Sequence, residues 1–172
     1  MLETLIHYEK NNAVEILAQT LKQMLTENTV VLCIGTDRCI GDLLGPLVGT
    51  MLEEKNFRFP VYGTLDDPIH AANISNAVKK IYRRHPTGLF VAVDASLGPK
   101  NYIGTIRIKK GPVFPGKAVG KTLPPIGDIS ITGIVDKSGD NSYFSIHNIR
   151  FGLVHKIAKT ISDALLLATY LS

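Results

Sequence analysis

Two aspartates stand where an α/β chain would place its chemistry. Asp42 ends the run Ile34-Gly35-Thr36-Asp37-Arg38-Cys39-Ile40-Gly41-Asp42, which leaves an apolar strand and leads into Leu43-Leu44-Gly45-Pro46, the start of a helix. Active sites of open α/β sheets lie at this edge. Gly35 and Gly41 let the backbone turn tightly there. Asp94 closes a second apolar run, Phe90-Val91-Ala92-Val93-Asp94, followed by Ala95-Ser96-Leu97-Gly98. A carboxylate closing a buried strand is costly unless it is solvated, paired or coordinating something. Taken singly, Asp42 is also a favoured helix N-cap, and Asp94 also reads as a structural acceptor of loop N–H groups. The pair says more. If the two strands are neighbours, both carboxylates face one crevice. Their mutual repulsion then raises one pKa, so that one acts as acid and the other as base or metal ligand.

A third set, Thr64-Leu65-Asp66-Asp67-Pro68-Ile69-His70, projects Asp66, Asp67 and His70 from the same edge. Asp-Asp-Pro is also an ordinary helix-start turn. Thr36, Asp37, Arg38, Gly41 and Ser96 are expected to support the site or touch substrate. Ser96 lacks the G-x-S-x-G setting of a serine hydrolase. The loop has neither the spacing of a dinucleotide fingerprint nor that of a P-loop, and its two acids would repel phosphate. His7, His85, His147 and His155 show no ligand spacing. Cys33 reads as core and Cys39 as loop, and neither has a CxxC partner.

These residues need elements to hold them. Apolar spacing predicts helices over 11–27, 43–56 (with Pro46 in the first turn) and 69–84. Continuous apolar runs predict strands over 29–35 and 89–93, and a shorter one over 59–64. Alternation of this kind implies a parallel sheet with helices on both faces. Residues 103–109 alternate as a half-exposed strand. Residues 111–128, with four prolines and four glycines, read as a long functional or mobile loop. Strands over 128–135 and 143–146 follow, then an Asn148 N-cap and an amphipathic helix over 149–171. Residues 1–10 read as a flexible N-terminal extension of one domain spanning 1–172.

Length and composition agree with one globular domain, at 172 residues, 45% hydrophobic and 20% charged. No apolar run reaches the ~18 residues of a membrane span, and the N-terminus does not resemble a signal peptide. A cytoplasmic, membrane-free protein is expected. The net charge of +4 gathers most visibly at Lys79, Lys80, Arg83 and Arg84. No aromatic residues interleave there, so a solvated helix face is expected rather than a nucleic-acid site.

Four stretches carry a resemblance: IGTDRCIGDLLGPLVG, YGTLDDPIHA, VAVDASLG and PGKAVGKTLPPIGDISITG. Over residues 28 to 165 the chain resembles the YyaC family of sporulation proteins from spore-forming Firmicutes. That family in turn resembles the spore germination protease and, more distantly, the hydrogenase maturation endopeptidases. The resemblance implies a three-layer α/β/α sandwich of the phosphorylase/hydrolase-like type. It implies catalysis by Asp42 and Asp94 on a protein or peptide substrate. The loop from Pro115 to Gly120 is also similar to its counterpart in the germination protease, and Gly116 is expected to support the site or touch substrate. No cofactor is expected. A divalent metal held by Asp42, Asp94 and His70 is the maturation-type alternative, although no histidine aligns firmly. The remaining alternative is a non-catalytic sporulation factor that binds a peptide or protein partner in the same crevice. Oligomeric state is left open.

Overall fold

The computed structural model describes residues 3–116, 123–139 and 149–170. In chain order its elements are β1 (Glu3–His7), α1 (Ala13–Lys22), β2 (Thr29–Cys33), a 3₁₀ turn (Ile40–Asp42) and α2 (Leu44–Glu54). Then come β3 (Val61–Tyr62), α3 (Ile74–Arg84), β4 (Leu89–Gly98), a second 3₁₀ turn (Lys100–Tyr102), β5 (Thr105–Lys110), β6 (Ile129–Lys137) and α4 (Phe151–Tyr170). One sheet runs β1-β5-β6-β4-β2-β3. β3, β2, β4 and β6 are parallel, while β5 is antiparallel to both β6 and β1. The fold is α/β with a mostly parallel sheet.

Side-chain alternation explains the packing. All five residues of β2, Thr-Val-Val-Leu-Cys, are buried, as expected of a parallel strand covered on both sides. Val31, Cys33, Val91 and Val93 join the cluster that contains the buried faces of α1, α2 and α4. Val30, Leu32, Phe90 and Ala92 join Ile74 and Ile81 of α3 in a second cluster. The period of two sends successive residues to opposite faces. The α4 stripe Val154, Ile157, Ile161, Leu165 and Ala168 is buried, and α4 packs on α1 and α2. Burying each large aliphatic side chain contributes about 1.5–3 kcal/mol.

Strand order has a functional consequence. From β2 the chain passes through α2 to β3 on one side, then returns through α3 to β4 on the other side of β2. Where strand order reverses like this, a crevice opens beyond the carboxyl ends of the two central strands.

Several expectations need correction. Glu3–His7 is no flexible extension. It pairs with β5 from Glu3↔Lys109 to His7↔Thr105 and forms the sheet edge. Five residues with one buried side chain, Ile6, carry too short a pattern to be read without their partner. β4 does not stop at Val93. β6 keeps pairing with it from Asp94↔Thr132 to Gly98↔Lys137, after β2 has left at Cys33. Helix α3 begins at Ile74 rather than 69. Before it, Ile69 bridges to Ile34, and the Asn73 side chain accepts from the His70 N–H and donates to the Pro68 carbonyl. The described ends of the long loop are tied together, since Val113 and Ile126 exchange two backbone hydrogen bonds of 2.9 and 3.0 Å. Residues 117–122, the expected strand over 143–146 and the Asn148 cap lie outside the described residues.

Candidate active site

Two glycines place Asp42. Gly35 has φ +144°, and a Cβ there would stand 2.0 Å from the Asp42 carbonyl oxygen. A Cβ on Gly45 would stand 2.1 Å from the Ile34 carbonyl oxygen. The loop therefore folds back onto the end of β2 with no room for side chains at either point. The Thr36 N–H donates to the Asp42 carbonyl at 2.9 Å and pins the fold-back. Asp42 is not a helix cap: Leu43 occupies that position on α2, and no side chain bonds the cap.

Asp94 lies on β4 at the level where β2 has ended. It shares the α3 side of the sheet with Ala92 and Ser96, as alternation requires. Asp42 and Asp94 line one cleft of about 740 Å³, together with His70, Ser96 and Gly116. Burial raises the Asp42 carboxyl to about 6. Burial also holds the Asp94 carboxyl well above the ordinary carboxylate range. The Asp42 charge adds to that effect, and a hydrogen bond from the Ala95 N–H opposes it. Both shifts disfavour the charged form, and a charge on one carboxyl opposes ionisation of the other. Two coupled carboxyl groups whose ionisations oppose each other are the arrangement of paired acid–base catalysts.

The other expected residues divide. His70 is half-buried in the cleft wall, and its Nδ1 accepts the Ala72 N–H at 3.2 Å. Thr36 shapes the loop, accepting the Arg38 N–H on Oγ1. Gly41 is buried in the first 3₁₀ turn and has no positive φ. Asp37 and Arg38 are exposed and do not line the cleft. Asp66 and Asp67 are also exposed, in a turn tied to Thr64, and do not reach it. Their own turn spends them on the surface. Cys33 is buried, which pushes its thiol up, and both cysteines are free. Among the described residues no three His, Cys, Asp or Glu side chains converge as a metal-holding group. Asp42, Asp94 and His70 share a cleft without forming one, so no step is routed through a metal.

Arg107, Lys109, Ser130 and Thr132 also line the cleft and were not anticipated. The alternation of residues 103–109 was the available signal. It marks Arg107 and Lys109 as outward-facing without saying that their face adjoins Asp94.

Fold and site together define an α/β protein with a two-carboxylate cleft at the switch point of its sheet. Residues 5–164 match the family described as a protein of unknown function, DUF1256, and the chain belongs to that family. It is similar to the uncharacterized protein YyaC of Bacillus subtilis (strain 168), with 44% identity over 151 residues covering 87% of this chain and 74% of that protein. The YyaC resemblance read from the motifs therefore holds. Among the described residues no helix is long and apolar enough to cross a membrane.

Proposed function

We propose that the chain hydrolyses a peptide bond in a protein substrate, with Asp42 as general base and Asp94 as general acid. One observation carries the reading: two enclosed, electrostatically coupled carboxyl groups share a cleft at the carboxyl ends of β2 and β4. Ionised Asp42 takes a proton from water as the water oxygen attacks the carbonyl carbon. Neutral Asp94 donates a hydrogen bond to the carbonyl oxygen, where negative charge develops. As the C–N bond breaks, one proton passes to the amine nitrogen. The products are a carboxyl group and an amine, and the pair is left again with one shared proton.

Helices on both faces of the sheet support a three-layer, hydrolase-like arrangement. The motif resemblance to the germination protease supports the same chemistry and a setting in sporulation or germination, in the cytoplasm. The test is to incubate wild-type, Asp42→Asn and Asp94→Asn chains with protein extract from a sporulating bacterium and to label new N-termini. Wild type should create termini that both variants, still folded by circular dichroism, fail to create. Equal termini from all three chains would overturn the two-aspartate mechanism.

A further inference from the structure

The cleft has a second chemical end that the aspartates do not explain. Sheet register locates it. Asp94 on β4 is level with Thr132 on β6, Thr132 with Arg107 on β5, and Arg107 with Leu5 on β1. The neighbouring row is Ala92, Ser130, Lys109 and Glu3. Level residues face the same side of a sheet. With strands about 4.8 Å apart, the Arg107 backbone lies about 10 Å from that of Asp94. Leu5, Arg107, Lys109, Ser130 and Thr132 all line the cleft. Among the described residues the apolar cluster under α3 takes its strand residues from β2, β4 and, through Tyr62, β3. Among the described residues that cluster does not extend over β6, β5 or β1, and this half of the sheet forms a shelf in the cleft wall.

The shelf is basic and incompletely satisfied. Arg107 pairs with the Glu3 carboxylate, its Nε 3.1 Å from a carboxylate oxygen, and no other acidic side chain among the described residues pairs with it. Lys109 is half-buried and has no carboxylate partner among the described residues. Between Ala92 and Lys109 lies Ser130, 1% exposed, whose hydroxyl has no hydrogen-bond partner among the described residues. Native structures rarely leave such a group orphaned. Tyr102 and Phe114, both exposed, rim the same cleft with apolar surface.

We propose that Arg107 and Lys109 form a carboxylate-reading subsite that holds an anionic group of the peptide two to four residues from the scissile bond. The spacing follows from about 10 Å at about 3.3 Å per extended residue. It rests on the hydrolytic reading only in taking Asp42 and Asp94 to mark the scissile bond. Arginine's fork matches a carboxylate, and the opposite end of the cleft already carries the Asp42 charge. An anionic group is thus drawn to one end and repelled from the other. The carboxylate is either an acidic side chain or the free C-terminus of the peptide.

The experiment uses the full chain carrying Asp94→Asn to capture randomised decapeptides, which are then sequenced by mass spectrometry. One pool has amidated C-termini and the other has free ones. Carboxylate-bearing peptides should be retained about fivefold over their neutral or basic counterparts. Enrichment of Asp and Glu in the amidated pool identifies a side chain. Preference confined to the free-acid pool identifies the C-terminus. Adding Arg107→Glu with Lys109→Glu should invert the preference toward Lys and Arg. If that chain does not fold, Arg107→Gln with Lys109→Gln should abolish the preference. Lys79→Gln with Arg83→Gln, on the exposed face of α3, should leave it intact. No captured peptide, no charge preference, or an acidic preference that survives inversion would overturn the subsite. Capture needs no hydrolysis, so a carboxylate preference here, together with a wild-type chain that creates no new termini, sinks the peptidase reading and keeps the subsite.

Discussion

Replacing Asp42 by asparagine preserves side-chain size and removes a charge that the fold disfavours. Burial holds the folded carboxyl at about 6, against 3.8 for the free group. At about 1.4 kcal/mol per pH unit, that gap corresponds to an upper bound of about 3 kcal/mol. The sign follows from proton counting. Between pH 3.8 and about 6 the folded chain binds more protons at this site than the unfolded chain, so wild-type stability falls as pH rises. Below about pH 4 the group is protonated in both states and nothing is lost. Above about 6 the full penalty applies. Asp42→Asn removes it. The variant should therefore be more stable than wild type by about 1–3 kcal/mol at pH 7.5, with a melting temperature raised by roughly 3–9 °C for a chain of this size. Wild type and variant should converge near pH 4. Asp94 loses a neighbouring charge in the variant and should hold its own proton less tightly, which enlarges the difference. The sequence contains no tryptophan, so urea and thermal melts are best followed by far-ultraviolet circular dichroism. A variant less stable at pH 7.5, or a difference that does not change with pH, would refute the assignment of Asp42 as an enclosed, ionised base. On the proposed hydrolytic reading the variant also loses activity, and gaining stability while losing activity is the trade expected of a residue kept for chemistry.

Further outcomes follow from the same structure. Gly35→Ala should cost at least about 3 kcal/mol, since its Cβ meets the Asp42 carbonyl and φ is unsuited to alanine; a melt within about 1 kcal/mol of wild type would contradict the fold-back. Ile157→Ala empties a fully buried position of α4 and should cost about 2–5 kcal/mol in urea titration. Burial raises the Asp163 carboxyl, but hydrogen bonds from Lys159 and Lys55 outweigh that and hold it below its usual value. Its stabilising contribution is present above pH 3.8 and is lost as pH falls through the depressed folded value. Asp163→Asn should therefore cost no more than about 1 kcal/mol at neutral pH, discounted for two half-exposed lysines. Its difference from wild type should vanish in strong acid.

Much of this was legible in the residues themselves. Thr29–Cys33 and Phe90–Val93 are apolar on both faces, which suits a strand between two helical layers and little else, so β2 and the first half of β4 followed directly. The 3.6-residue stripes gave α2 and α4 to within two residues at either end, and α1 with a C-terminal end five residues too long. Asp42 and Asp94 could be singled out because each interrupts an apolar segment at a strand end, where a charge needs a reason. Tertiary structure decided what local pattern cannot carry. Strand order put β4 beside β2, and only that turned two separate aspartates into electrostatically coupled groups of one cleft. Burial depth raised both their pKa values. Register across β4, β6 and β5 brought Arg107 into line with Asp94 although the chain separates them by thirteen positions. Glu3–His7 became a strand only because β5 offered an edge. Periodicity records which face of an element is buried, and it is silent on which other element buries it. Pairing, register and electrostatic coupling are properties of the assembled sheet.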